Sequence, residues 1–235
     1  MNTSAGIEFH TFSIMGRCAR TGMLGVAITT SDLCVGSRCP YVRPKVGAVS
    51  TQATTDPRLG PMALDLLEKG YTPEDAIKEL EAGDPHIERR QIGVVGWNGK
   101  SSVRTGAQNL PWAGHIANED YVAMGNGLSS EKVVQSMTET FERLNADDLE
   151  ERLLRALEAG QQAGGEARDM TPHHSAALLV YGDESFSRVD LRVDEHATPI
   201  VELRRVFDLY RPKIDYFTLR VSDPEAATAM RDRDA

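Results

Sequence analysis

A threonine at the start of the first predicted strand is the residue with the clearest chemical potential in this sequence. Thr11 opens the stretch TFSIMGRCARTGMLGVAITT, in which apolar residues alternate on both sides of Arg20-Thr21-Gly22. That pattern predicts two short strands joined by a tight turn. A threonine hydroxyl attacks acyl carbons once a base takes its proton. The alternative is a strand threonine whose hydroxyl bonds the backbone, and the local sequence leaves both interpretations open.

Four other polar residues are candidates for the same site. Asn126 lies between two glycines at the end of a short strand, where its amide could hold an oxyanion or simply occupy a turn. Thr51 and Gln52 lie on a small-residue strand and either line a pocket or bond internally. His115 is a candidate general base, although a histidine on a loop is often a structural hydrogen bonder. We expect Thr11, Gln52, Asn126 and His115 to lie close together.

The cysteines and the paired histidines point to no metal or thiol chemistry. Nothing near Cys34 or Cys39 in the sequence would lower a thiol pKa, so buried structural thiols are expected. His173 and His174 are adjacent, and adjacent side chains on a strand point to opposite sides, which disfavours a shared metal ion. We therefore expect neither a metal nor a cofactor.

Composition narrows the class of protein. The chain has 235 residues, a hydrophobic content of 40% and a formal net charge of -9. No run approaches the ~18 apolar residues of a spanning helix, and the negative charge disfavours nucleic acid or an anionic membrane as partner. The first ten residues lack the features of a secretion signal, and three cysteines are typical of reduced thiols. The expectation is a cytoplasmic globular protein with a small-molecule substrate.

Blocks of predicted strands alternate with pairs of predicted helices. The first helix pair covers about 59–69 and, capped by Thr72, 72–83; the second follows Ser129 or Ser130 and then Asp148. A parallel doubly wound sheet needs single crossover helices, so this order argues against it. The prediction is an α+β fold: a four-layer αββα sandwich, with two stacked antiparallel sheets flanked by helix pairs.

The domain boundaries are expected to be simple. Residues 1–10 form an N-terminal extension, residues 11–212 a single domain, and residues 213–235 a tail with one strand at Tyr216–Val221 and a disordered polar end. The segment Ala107–Tyr121 is expected to be irregular. Because the tail strand is apolar and an exposed sheet edge invites pairing, we expect a homo-oligomer.

Eight short motifs, taken in order, resemble a known family. They begin with TFSI at Thr11 and end with SAALLV at Ser175, and between these lie TG at Thr21, TQA at Thr51, RQIGVV at Arg90, TG at Thr105, WAGH at Trp112 and GN at Gly125. Together they closely resemble the bacterial and archaeal family catalogued as domain of unknown function 1028. The resemblance implies the N-terminal-nucleophile (Ntn) hydrolase fold. Trp112 of the WAGH motif is also a candidate for substrate binding. So is His174, which precedes SAALLV where the family usually carries glutamine and is therefore a departure from the family pattern.

One departure from the family bears directly on mechanism. Family members typically begin Met-Thr-Phe-Ser, whereas ten residues precede Thr11 here. In an Ntn hydrolase the α-amine of the first residue takes the hydroxyl proton, so Thr11 needs the His10–Thr11 bond to be cut. The resemblance implies a hydrolase of a small amide, ureide or related C–N bond. The alternative is a non-catalytic Ntn-like protein that binds a small molecule or serves as a scaffold.

Overall fold

Two antiparallel sheets form the centre of the protein. The computed structural model describes residues 9–166 and 172–233. One sheet has the strand order β10-β9-β2-β1-β8-β7 and the other the order β3-β4-β5-β6. The strands are Thr11–Arg17 (β1), Leu24–Thr30 (β2), Pro40–Arg43 (β3), Gly47–Ala53 (β4), Arg90–Gly96 (β5), Ser101–Thr105 (β6), Gly114–Asn118 (β7), Tyr121–Asn126 (β8), Ser175–Tyr181 (β9) and Val189–Val193 (β10).

Helices cover the outer face of each sheet. The helices are Leu59–Glu68 (α1), Pro73–Gly83 (α2), Lys132–Arg143 (α3), Leu149–Gln162 (α4), Pro199–Tyr210 (α5), Ile214–Ser222 (α6) and Pro224–Arg233 (α7). Helices α1 and α2 pack on the four-stranded sheet, and α3, α4 and α5 on the six-stranded one. The α+β fold with αββα layer order predicted from the sequence is therefore confirmed. In the described ranges, none of these helices combines the length and apolar character needed to cross a membrane.

Local sequence explains where these elements begin and how they stack. Helix α2 begins after Thr72, whose hydroxyl accepts the Asp75 N–H at 3.1 Å, and Pro73 occupies its first turn. Helix α3 buries an apolar stripe that includes Val133, Met137 and Phe141 in the large core between the six-stranded sheet and its helices. Stripes of this period direct one face of a helix onto a sheet.

The alternation along β1 separates two kinds of interior. Phe12 and Ile14 enter the core under α3 and α4, whereas Met15 joins the apolar cluster between the two sheets. Ser13 faces the second sheet as well, since its hydroxyl donates to Gln52. Side chains two residues apart share a face, so Thr11, Ser13 and Met15 all point between the sheets. The layer between the sheets is thus polar at the Thr11 end and apolar at the Met15 end.

Two edge strands differ from the sequence prediction. Gly114–Asn118 forms β7 inside the segment 107–121 that was expected to be irregular, and β3 begins at Pro40, where no strand was predicted. Both strands lie at sheet edges. An edge strand exposes much of its surface, so it lacks the apolar alternation that identifies a buried strand, and proline is tolerated at its start.

The predicted tail strand is wrong. Residues Tyr216–Val221 lie in helix α6, and the polar end is helical through Arg233 in α7. The Phe217 ring packs 5.4 Å from that of Tyr210, and the Arg220 guanidinium lies 4.7 Å above the Phe217 ring. Contacts at a spacing of three residues stabilise a helix, which a six-residue apolar run cannot distinguish from a strand. Residues 1–8 of the expected N-terminal extension and 234–235 of the tail lie outside the described residues.

We predict that Gly25→Ala destabilises the protein by about 1–3 kcal/mol, because helix α4 lies too close to β2 for a side chain there. A Cβ at Gly25 would stand 2.7 Å from Leu153 Cδ1 and 2.8 Å from the Leu179 carbonyl oxygen. Gly83→Ala is the matched control, since a Cβ there meets nothing within 4 Å. Denaturant unfolding measures both variants, and equal midpoints would contradict the assigned packing.

The homo-oligomer stays a prediction, and its original argument from a tail strand no longer applies. Large apolar side chains remain exposed on the last helices, at Val201 and Leu209 of α5 and Val221 of α6. Light scattering on the full chain should give a multiple of 25.8 kDa. A particle of one chain mass at working concentration would contradict it.

Candidate active site

A small cavity opens where the ends of β1, β2 and β4 meet. Its volume is about 250 Å³, and its wall includes Thr11, Thr30, Gln52, Cys39 and Thr55. The short helical turn Val35–Ser37 and the chain after β4 complete the wall. A volume of this size is just below the usual range of small-molecule sites, about 300–1,000 Å³.

A buried amide pair joins the two sheets behind this cavity. Gln52 on β4 and Gln91 on β5 are cross-strand neighbours, and Gln52 Nε2 donates to Gln91 Oε1 at 2.7 Å. Gln52 Oε1 accepts the Ser13 hydroxyl at 2.7 Å, while Gln91 Nε2 donates to the Gly125 carbonyl at 2.9 Å. Ser13 and Gly125 belong to the other sheet, so each amide bridges the sandwich. Both glutamines are fully buried, where an unpaired amide would be costly.

The Thr11 hydroxyl takes part in a short chain of hydrogen bonds. Thr11 Oγ1 lies 2.8 Å from Thr30 Oγ1, and Thr30 Oγ1 donates to the His10 carbonyl at 2.9 Å. A hydroxyl has one proton, and the Thr30 hydroxyl donates it to the His10 carbonyl. Thr11 is therefore the donor between the two hydroxyls. The backbone N–H of Ser31 also donates to the His10 carbonyl, at 3.0 Å. Two donors therefore hold the carbonyl of the peptide bond that precedes Thr11.

Asn126 lies directly opposite Thr11. The two residues are partners in the antiparallel β1–β8 register, so their side chains share the face between the sheets. Asn126 Nδ2 donates to Gln91 Oε1 at 3.3 Å, which uses one of its two N–H groups. The structure thus brings Thr11, Gln52 and Asn126 together: Gln91 bonds both Gln52 and Asn126, and Gln52 Nε2 donates to the Thr11 carbonyl at 3.4 Å.

His115 reaches this network only at its margin. It lies on the edge strand β7, where its Nδ1 is 2.8 Å from Thr105 Oγ1. Thr105 accepts in turn from Gln91 Nε2 at 2.9 Å. Removal of the ring from water lowers the pKa of His115, which favours neutral imidazole at pH 7. Two side-chain amides, those of Gln91 and Gln52, separate His115 from Thr11, and an amide does not relay a proton as a hydroxyl does.

Three other candidate residues lie elsewhere. Thr51 points to the opposite face of β4 from Gln52 and bonds Thr55 at 3.1 Å. Trp112 packs against the core beneath the helices of the six-stranded sheet. His174 directs its ring toward Glu195 at 3.5 Å, although its backbone N–H donates to the Thr30 carbonyl. None of the three lines the cavity.

The Cys39 thiol lies in the wall of this cavity. Burial raises the pKa of the Cys39 thiol to about 12, so the thiol is protonated at neutral pH and a poor nucleophile. Within the described ranges, no three His, Cys, Asp or Glu side chains are grouped as metal ligands.

Sequence reasoning missed Gln91, Thr30 and Ser13. The signal was present in part, since Gln91, Gly93 and Val95 alternate along β5 and Gln91 is the polar member of the series. Its partners depend on the β4–β5 register and on how the sheets stack, neither of which a local pattern contains.

Known proteins resemble this chain over most of its length. The sequence model of a family of unknown function, DUF1028, matches residues 11–203. The crystal structure of protein SPO2555 from Silicibacter pomeroyi, assigned to the same family, is 32% identical with a TM-score of 0.77, covering 86% of this chain and 89% of that one. Anbu, the ancestral beta-subunit from Yersinia bercovieri, aligns with a TM-score of 0.39 and 10% identity over 86% of this chain and 96% of its own. A similarity this weak supports no conclusion about function. No curated protein matches.

We predict that Gln91→Leu lowers the free energy of unfolding by about 2–4 kcal/mol, because it leaves several buried polar groups unpaired at nearly constant side-chain volume. The groups affected include Gln52 Nε2, Asn126 Nδ2 and the Gly125 carbonyl. The control Gln135→Leu, on an exposed position of α3, should change stability by less than about 0.5 kcal/mol. Urea unfolding distinguishes the two, and a similar small effect for both would show that the amide bridge contributes little.

Proposed function

We propose that this chain, which belongs to the family of unknown function DUF1028, is an Ntn-type hydrolase that cleaves a small amide, ureide or related C–N bond. The observation that carries the proposal is the Thr11 hydroxyl at the wall of a small cavity, directly opposite the Asn126 amide. Thr11 is the nucleophile, and Asn126 supplies a donor for the oxyanion. One such donor contributes about 3 kcal/mol of transition-state stabilisation.

The base is the α-amine of Thr11 after the preceding bond is broken. In the described part of the chain, the hydroxyl bonds another hydroxyl, that of Thr30, and no carboxylate, lysine or imidazole. An α-amine has a pKa of about 7.7–8.0 and is partly neutral at pH 7, which suits it to accept the proton. The uncut chain lacks this base, because the Thr11 nitrogen is still an amide.

The contacts around His10 favour cleavage by Thr11 itself. His10 is buried, and its N–H donates to Ser31 Oγ at 3.0 Å, so an external protease would first have to free the segment from the sheet. Thr30 Oγ1 and the Ser31 N–H already donate to the His10 carbonyl, as the donors of an oxyanion hole would. Thr11 Oγ1 attacks that carbonyl carbon, and its proton passes to the Thr11 nitrogen as the C–N bond breaks. Water then hydrolyses the ester, leaving a His10 carboxylate and a free Thr11 hydroxyl and amine.

The second candidate function is a small-molecule-binding or scaffold protein. It is favoured by one observation, that the His10 N–H and the His10 carbonyl are both hydrogen-bonded at the end of β2, so the residue before Thr11 is held in the fold. In that case the cavity binds a ligand and the amide bridge only holds the sheets together. The two candidates differ in whether Thr11 is ever freed.

We predict that turnover depends on the Thr11 hydroxyl. Thr11→Val keeps the shape but removes the nucleophile, so kcat should fall by ~10³-fold or more, while Thr11→Ser keeps measurable activity. Thr138→Val is the matched control, since the Thr138 hydroxyl bonds only a carbonyl of its own helix. Release of ammonia or amine from a panel of small amides and ureides is the measurement.

A shortened chain that begins Met-Thr11 tests the role of the amine. Removal of the methionine by the cell frees Thr11, so this chain should be at least as active as the full one. Intact mass shows whether the full chain begins at Met1 or Thr11. Equal rates from a demonstrably uncut full chain would exclude the amine as base. Inactivity of both chains on the whole panel would favour the binding protein.

A further inference from the structure

A second, larger cavity lies at the other end of β1. Its volume is about 630 Å³, and it is formed by the β1–β2 turn, the β7–β8 turn, the end of α3 and the start of α4. Arg17, the last residue of β1, lines it, whereas Thr11 begins the same strand. Seven residues of strand span roughly 20 Å, so the two cavities are separate.

Arg152 gives this cavity a buried positive charge. The side chain is buried, with the residue only 7% exposed, and its guanidinium lies 3.9 Å above the Phe141 ring. Nε and Nη2 both donate to one acceptor, the Phe141 carbonyl, at 3.3 and 3.1 Å. A guanidinium has five N–H groups, so one neutral carbonyl leaves most of its donor capacity unused. Burial lowers the pKa of Arg152, although the nearby Cys18 side chain and the Asp120 charge act to raise it.

Arg152 differs in its partners from the other buried and half-buried arginines. In the described part of the chain, the buried or half-buried arginines outside this cavity pair with carboxylates: Arg90 with Asp84 at 2.9 Å, Arg188 with Glu150 at 3.2 Å, Arg204 with Glu158 at 2.7 Å, and Arg104 with Glu81. Arg152 forms no such pair. A buried charge without a partner is costly, which indicates that a partner is supplied from outside the chain.

Neighbouring groups extend the positive character. Arg20 also lines the cavity and donates to a backbone carbonyl, that of Asp147, at 2.7 Å. Arg17 Nε is buried without a hydrogen-bond partner among the described residues. Burial acts to raise the pKa of Cys18, but hydrogen bonds from Thr21 and the Arg20 charge outweigh it, so the pKa is lowered.

The carboxylates at the cavity are already engaged or exposed. Asp120 pairs with Arg17 at 2.7 Å, and Glu142 accepts the Tyr121 hydroxyl. Glu119 lies exposed at the rim. Among the described residues, Arg20 and Arg152 therefore form no ion pair with a carboxylate, in a protein whose formal net charge is -9.

We propose that this cavity is a binding site for a small organic oxyanion, a molecule that carries a carboxylate or phosphate group. The charged group binds between Arg152 and Arg20, and the body of the molecule lies against the rings of Phe141 and Tyr121 and the side chain of Ala146. Guanidinium groups bind planar or tetrahedral oxyanions through paired N–H donors. The site is independent of Thr11 chemistry.

Titration calorimetry with sodium phosphate and with sodium malonate, at constant ionic strength in chloride, tests the site. We expect saturable binding of one anion per chain. Arg152→Met keeps the contact with Phe141 but removes the charge, and it should weaken binding by about tenfold or more, as should Arg20→Gln. Arg143→Gln, an exposed neighbour on α3 that does not line the cavity, and Thr11→Val should bind like the wild type.

The outcomes separate the ligand classes. Binding of malonate alone identifies a carboxylate ligand, binding of phosphate alone a phosphate ligand, and binding of both a general oxyanion site. No saturable binding of either, or binding that Arg20→Gln and Arg152→Met leave unchanged, would overturn the proposal. Arg20 is exposed, so its variant remains informative if Arg152→Met fails to fold.

Discussion

The hydrogen bond between the buried amides of Gln52 and Gln91 is the constraint on which the candidate site depends. Each amide also bonds the opposite sheet, so together they fix how the two sheets stack at the Thr11 end. At the other end of the same layer, Met15 and its neighbours form an apolar cluster. Apolar contact is non-directional and tolerates sliding, whereas a network of buried amides is stable only in the register that satisfies every donor. The Thr11 end, where the hydrogen bonds are directional, therefore holds the residues of the candidate site.

Hydrogen bonds at the Thr11 end of the sandwich also position the His10 carbonyl. Thr30 Oγ1 and the Ser31 N–H hold this carbonyl beside the Thr11 hydroxyl, which is also where a substrate carbonyl would have to lie for attack by Thr11. On the proposed mechanism, the His10 peptide would be the internal substrate of the uncut chain. Its release would free both donors together with the amine, so one bond cleavage would supply the base and vacate an oxyanion site. Cleavage and catalysis would then use one set of groups.

Features that arise from a repeated pattern in the sequence were predictable, and features without such a pattern were not. The order of layers was predictable because strand alternation and the helix stripe of Val133, Met137 and Phe141 repeat over several turns. The edge strands and the helix over 214–222 were not, since short or exposed segments lack a decisive period. Thr11, Gln52 and Asn126 were identified as polar groups on strands that should be apolar. Gln91 was missed because its importance arises from three chain segments that meet only in the fold.

The two ends of β1 present opposite electrostatic environments, and this difference limits what the Thr11 cavity can bind. Around Thr11 the bonded partners are hydroxyls, amides and backbone groups, and the charged pair at the wall, Arg38 and Asp32, neutralises itself at 3.0 Å. A site built from neutral dipoles stabilises charge that develops during a reaction without attracting a permanently charged ligand. An uncharged amide or ureide matches that environment, whereas an anion matches the arginine-lined cavity at the opposite end.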